Sequence, residues 1–393
     1  MSPVPADSLD SFDQDLVFCI GLVGPSRVGK TSLITALLRD SQRLLQGTPV
    51  SLRPSGTATE KRIAQHRREL DGSLLAGEFT PGALRGTEEP FTFQLLLDSG
   101  VRGIGERGTG IRLELLDYPG GWLDPATRPH DRDADWQSCQ RFLQQCSVLL
   151  VPVDAAVLME PTSAAQLRAV PSILTTPEVG EVVRQWLKER NWRPDEPALL
   201  MLCPVKCESY FDDNGGRRDE TEELLSRVRR VYADVIEAVP AEAPHVRVVY
   251  APVDTIGCVE ILHAEWTPDP REPSGMAFAA HYGVRWPARQ AVKGADDVLV
   301  ALCKHLVAAQ QRVESDVADD TRASADQARE YAERDEGFIR NIWYHLSGER
   351  ARRTHTALVS GHRAGEADAR VSALADVVAD LARRDAGGRV RQW

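Results

Sequence analysis

Short apolar runs alternate along the chain with longer amphipathic or polar stretches. Residues 16–23, LVFCIGLV, form a continuous β-rich apolar run that stops at a glycine-rich loop, and SLITALLRD follows with helical periodicity. The first unit therefore reads as strand, loop, helix. From about 40 to 90 the pattern turns polar and glycine-rich around one basic helical stretch, TEKRIAQHRREL. PFTFQLLL and IRLELLDY then return as strands, and the GVRGIGERGTG between them has the residue types of a turn, which predicts an antiparallel hairpin. VLLVPVD, ALLMLCPV and HVRVVYAPV are three further apolar strands, separated by helices near 177–190 and 220–238. Strands alternating with helices predict an α/β fold with a mostly parallel sheet covered on both faces.

DDVLVALCKHLVAAQQRV repeats apolar residues at Leu299, Leu302, Leu306 and Val313, the spacing of a helix lying on a core. It closes a predicted domain over 16–313, behind a flexible N-terminus of residues 1–15. Beyond it, residues 314–393 shift to Ala, Arg, Asp and Glu, with FIRNIWYHL and SALADVVADLARR as the apolar interruptions. This predicts a helical, partly exposed C-terminal extension. Phe338, Ile342, Trp343 and Leu346 share one helical face there, suited to packing on the domain, docking a partner or lying on a membrane surface.

Composition narrows the partners. The 47 Lys and Arg stand against 58 Asp and Glu, a net charge of −11 that argues against general attraction to nucleic acid or anionic lipid. No apolar run reaches the roughly 18 to 20 residues that span a bilayer, and MSPVPADSLD lacks the basic and apolar regions of a signal peptide. The expectation is a cytoplasmic protein with no transmembrane segment and no nucleic-acid partner. Seven scattered cysteines read as reduced packing residues. Cys203 and Cys207 stand close together but lack a second Cys/His pair for zinc. Neither H-E-x-x-H nor G-x-S-x-G is present, which disfavours metalloprotease and serine-hydrolase chemistry.

The chemistry concentrates in Gly24-Pro25-Ser26-Arg27-Val28-Gly29-Lys30-Thr31, followed by Ser32, which matches G-x-x-x-x-G-K-[ST] between a strand and a helix. In such a loop the backbone N–H groups converge on a β-phosphate and the helix N-terminus adds a favourable dipole. Lys30 reaches the β- and γ-phosphates, and Thr31 offers its hydroxyl to Mg2+, a cation that demands oxygen ligands. Downstream, LELLDYPGG delivers Asp117 to a strand end with Gly120 three residues on. A strand-end Asp holds Mg2+ in many nucleotide hydrolases, and the glycine N–H senses the γ-phosphate.

GPSRVGKTS, the run D-Y-P-G-G-W-L from Asp117 to Leu123, and the strand order together resemble the TRAFAC class of P-loop GTPases, most of all the bacterial YcjX-type family, over residues 16–310. The resemblance implies the three-layer sandwich of P-loop NTPases and a switch threonine that ligates Mg2+ when the γ-phosphate is present. Thr87 is the first choice for it and Thr80 the competitor. It also implies a base-reading N/T-K-x-D site, which here reads Val205-Lys206-Cys207-Glu208, with Lys206 along the base and Glu208 accepting from guanine. The loop after the last strand, Ala251 to Gly257 with Val253 as its candidate contact, would wrap the base edge or else is a plain strand-to-helix connection. No Gln follows Gly120 to orient water. Arg27, a backbone carbonyl, or an arginine or lysine from a partner or second subunit is left to complete slow hydrolysis of GTP to GDP and phosphate. The implied protein is a Mg2+-dependent guanine-nucleotide switch, with an effector or self-association through the helical tail. Its alternatives are a nucleotide-binding scaffold with little hydrolysis and an ATP-specific P-loop NTPase or kinase.

Overall fold

The computed structural model describes residues 16–79, 84, 86–99, 110–194, 196–269, 275–305, 307, 376–384 and 387–393. Its backbone is an eight-stranded, mostly parallel sheet. In chain order the strands are β1 (Leu16–Leu22), β2 (Val50–Pro54), β4 (Phe91–Ser99), β5 (Gly110–Asp117), β6 (Val148–Asp154), β7 (Leu199–Val205), β8 (Arg247–Tyr250) and β11 (Arg391–Gln392). In space they lie in the order β11-β8-β7-β6-β1-β5-β4-β2. The five central strands run parallel. β4 pairs antiparallel with both β5 and β2, and β11 antiparallel with β8.

Side-chain alternation explains why the sheet is covered twice. Ile20, Leu150, Met201 and Val249 enter one core, and Leu149, Val151, Leu202 and Tyr250 the other. The first core is capped by α1 (Lys30–Leu44) through Leu33, Ile34 and Leu37, by a helix that starts at 295 through Val298 and Leu302, and by helical residues 376–383 through Val378 and Leu381. The second is capped by α3 (Asp133–Gln145), α6 (Thr176–Asn191), α7 (Thr221–Val231) and α8 (Ala233–Glu242), with Trp136, Trp186, Leu224 and Val235 turned inward. Each fully buried aliphatic or aromatic side chain contributes about 1.5–3 kcal/mol. β6 and β7, buried at every position, are the strands this double cover protects most.

The sheet order reverses at β1. The chain runs from β1 outward to β2, β4 and β5, then crosses to β6, β7 and β8 on the other side. Such a reversal leaves a crevice beyond the carboxyl ends of the parallel strands.

Several elements differ from the sequence expectation. β2 sits in the stretch read as polar and glycine-rich, and α3 in a stretch to which the sequence pattern assigns no element. The predicted helix near 220–238 is two, α7 and α8, meeting at Tyr232. A second sheet, ordered β3-β10-β9, contains β3 (Glu78–Phe79), β9 (Val259–Pro268) and β10 (Met276–Val284). It packs Phe79, Ile261 and Tyr282 against Leu70 and Leu74 of α2 (Thr57–Leu75). The C-terminal extension, expected to be helical, ends in β11: Arg391 pairs with Tyr250 because the open edge of β8 offers unpaired backbone groups. Thr80, the FIRNIWYHL segment, Leu306 and Val313 lie outside the described residues.

Candidate functional site

A cavity of about 320 Å³ opens beyond the carboxyl ends of the central strands. The loop after β1 builds one wall. Arg27 (φ 59°) and Gly29 (φ 115°) take left-handed backbone conformations that fold the loop back before α1 begins at Lys30. No side chain caps α1, so the N–H groups of its first turn, which have no partner within a helix, are left for the cavity. Ser26, Arg27, Gly29, Lys30, Thr31 and Ser32 line it.

Lys30 is almost fully buried and arches over its own loop, donating from Nζ to the carbonyls of Gly24 at 2.9 Å and Pro25 at 3.0 Å. Burial lowers its pKa to about 8, against the opposing pull of Asp117. Asp117, fully buried at the end of β5, collects two hydroxyls on a single oxygen. Thr31 Oγ1 donates to its Oδ2 at 2.6 Å and Thr87 Oγ1 at 2.7 Å, while Oδ1 has no hydrogen-bond partner among the described residues. Three residues picked separately from the sequence, 56 and 30 positions apart (87 − 31 and 117 − 87), thus meet at one carboxylate. Two hydroxyls and a carboxylate form a hard oxygen donor set suited to Mg2+.

Gly120 opens a 3-10 turn, Gly120–Trp122, and lies flat on the Pro25–Ser26 peptide. A Cβ there would stand 2.1 Å from Ser26 N and 2.5 Å from the Pro25 carbonyl oxygen, so only glycine allows this contact. Trp122 is buried in the second core beside Tyr118 and Trp136, away from the cavity lining.

The opposite wall departs from expectation. Lys206, itself left-handed (φ 57°), lines the cavity, donates to the Arg27 carbonyl at 2.9 Å and is paired with Asp154 at the end of β6. Glu208 does not line the cavity. Its Oε1 accepts the backbone N–H of Ile256 at 2.9 Å and of Gly257 at 3.3 Å, and Oε2 has no partner among the described residues. Burial, and secondarily Asp254, pushes its pKa up to about 7. Val253 is also buried away from the opening: it bridges to Val205 and continues the sheet. Gly24, Pro25 and Val28 sit behind the loop, the first two as carbonyl acceptors for Lys30.

Sequence reading missed His66 and Phe79, which line the cavity together with Thr255 and Ile256 of the loop after the last strand and with Leu84, Gly86, Glu88 and Tyr118. His66, on α2, lies 3.3 Å from Ser32 Oγ, and burial lowers its pKa. Asp154 was legible by the reasoning that found Asp117, since both end an apolar strand. Arg389 was not. This buried guanidinium near the C-terminus binds Asp254 at 2.9 Å and Asp213, and lies 3.9 Å from the centroid of the Phe211 ring.

Cys203 and Cys207 are both buried, and Cys207 Sγ donates to Asp254 Oδ1 at 3.2 Å. No helix among the described residues is long and apolar enough to cross a membrane. No known protein-family model matches the chain, and no curated protein matches it.

Proposed function

We propose that this chain binds a purine nucleoside di- or triphosphate with Mg2+ in the cavity at the end of β1, and acts as a slow GTP-hydrolysing switch. The observation that carries the reading is the meeting of Thr31 and Thr87 on Asp117 Oδ2 beside Lys30 and the uncapped start of α1. Thr31, Thr87 and Asp117 would hold Mg2+, which when bound supplies positive charge to phosphate oxygens. Lys30 and the N–H groups of the loop and first helical turn would hold the phosphates. An anion there supplies acceptors that replace the Gly24 and Pro25 carbonyls and restores the full charge of Lys30.

The base would lie between Lys206 and the Thr255–Ile256 segment. Guanine presents two adjacent donors, N1–H and the N2 amine. Glu208 Oε2 is a buried acceptor without a partner among the described residues, and reaching it requires the Ile256 loop to shift. Slow turnover follows from the turn at Gly120. Gly121 brings no side chain and Trp122 is turned into the core, so neither presents an acceptor to orient an attacking water.

Titration calorimetry with GDP, a non-hydrolysable GTP analogue and the ATP equivalent, each with Mg2+, tests the reading alongside Lys30→Ala. Guanine-selective binding that Lys30→Ala weakens by about 100-fold, the scale of two charge-assisted hydrogen bonds, is expected. Near pH 8 binding should also take up about half a proton, because Lys30 is then half neutral and phosphate favours its charged form. Adenine preference would remove the GTP assignment, and no binding at all would remove the nucleotide site.

A further inference from the structure

On the second sheet, among residues that do not line the cavity, β9 and β10 bring two histidines face to face. His263 and His281 are directly opposite partners across the antiparallel pair, and their rings stack at 4.4 Å between centroids with planes 11° apart. Glu265, two residues along β9 and so on the same face, places Oε1 3.4 Å from His263 Nε2. One ligand atom from each of the three side chains lies within 4.8 Å of the others.

This arrangement depends on an irregularity in the strand. Between His281 and Tyr282 the register shifts: Tyr282 pairs with Ile261, but His281 pairs with His263, leaving Leu262 as an extra residue on β9. Without that bulge, His263 would share the inward face of Val259 and Ile261, which pack in the core with Tyr282. The bulge turns it outward opposite His281, while Ala264 and Ala280 keep the inward face. His263 and Glu265 are each more than half exposed and His281 is partly exposed, so the rings are free to tilt from their stack toward a common point.

We infer that His263, His281 and Glu265 form a binding site for a divalent late transition metal, with Zn2+ the natural probe. Two imidazoles and a carboxylate are the donor set such ions prefer, and the remaining coordination positions face solvent. Mg2+ prefers oxygen ligands, so the Thr31–Thr87–Asp117 cluster and this one differ in the ion they select. Because β9 and β10 are joined at His263 and His281, a bound ion would tie together the hairpin that carries Ile261 and Tyr282.

The test is calorimetric titration of the full chain with Zn2+ in excess Mg2+, comparing wild type with His263→Ala/His281→Ala and with Glu265→Gln. All three positions are solvent-facing, and circular dichroism verifies that the variants fold. Wild type should bind one Zn2+ equivalent that the double-histidine variant lacks, with affinity lowered on the order of 100-fold or more, and Glu265→Gln should cost about tenfold. Saturating Zn2+ should raise the melting temperature of wild type and not of the double variant. Equal Zn2+ stoichiometry and affinity in wild type and double variant, or no binding to either, overturns the assignment.

Discussion

The two ends of the cavity are built on opposite principles. At the end formed by the β1 loop and Asp117, polar groups are under-committed: Lys30 leans on carbonyls of its own loop, two threonines crowd onto one carboxylate oxygen, and α1 starts without a cap. At the end formed by the loops after β7 and β8, most polar groups are consumed internally, with Glu208 Oε2 the exception. Lys206 is held by Asp154 and Arg27, Glu208 by Ile256 and Gly257, and Asp254 by Arg389, Asn214 and Cys207. The first end leaves the N–H groups at the start of α1 and Asp117 Oδ1 without side-chain partners among the described residues, whereas the second spends most of its polar groups on one another. A ligand at either end must displace existing bonds, but at the first it also meets the uncapped N–H groups of α1.

The largest expected effect follows from the internal network. Arg389→Ala removes the buried cation that holds Asp254, which is fully buried, and Asp213. Leaving a buried carboxylate unpaired costs about 3–5 kcal/mol, so urea unfolding should show a loss of that size. Arg384, paired with Asp380 on the surface with its side chain 42% exposed, is the control, and its alanine variant should change stability by less than about 1 kcal/mol. Equal effects would mean that the C-terminal segment does not hold these loops.

Glu208 gives a smaller effect with a sign that depends on pH. Its folded pKa, about 7, lies above the ordinary value of 4.5, so its protonated form favours the folded state. That contribution is fully present below about pH 4.5 and is lost as the pH rises through about 7, where the ionised carboxylate sits buried at a cost on the order of 3 kcal/mol. Glu208→Gln keeps an acceptor for Ile256 and Gly257 and cannot ionise. Relative to wild type the variant should gain about 2–3 kcal/mol between pH 5 and pH 8 in denaturant unfolding. A difference that does not change with pH would show that Glu208 is solvated.

The same contrast explains what the sequence disclosed. Asp117 ends an apolar strand, and Lys30 and Thr31 follow another across one glycine-rich loop whose spacing is local, so the chain near each residue carries it to the carboxyl edge of the sheet. Glu208 follows a strand equally closely, yet its partners come from Ile256 and Gly257, 48 and 49 residues later. No local pattern encodes such a partner. β10 escaped notice because MAFAAHYGV is rich in Ala and Gly, poor strand formers, and β9 because the bulge at Leu262 interrupts its alternation. β11 has only two residues and exists because β8 offers an edge. α3 went unassigned although its signal is local: Trp136, Cys139 and Leu143 recur at helical spacing within a polar segment.

The most discriminating change at the under-committed end is also the mildest. Thr87→Ala deletes one of the two hydroxyls on Asp117 Oδ2 and leaves Thr31 in place. Under the proposed function Thr87 joins Mg2+ only when a γ-phosphate is bound, so its loss should fall on the triphosphate. Affinity for the GTP analogue with Mg2+ should drop about tenfold, or roughly 1.4 kcal/mol, while affinity for GDP changes by less than about twofold. The ratio of the two affinities is the quantity to measure, since any general loosening of the fold lowers both together. An unchanged ratio would leave Thr87 as a structural donor to Asp117 and would remove the switch from the proposal, while leaving the phosphate-binding role of Lys30 and the β1 loop intact.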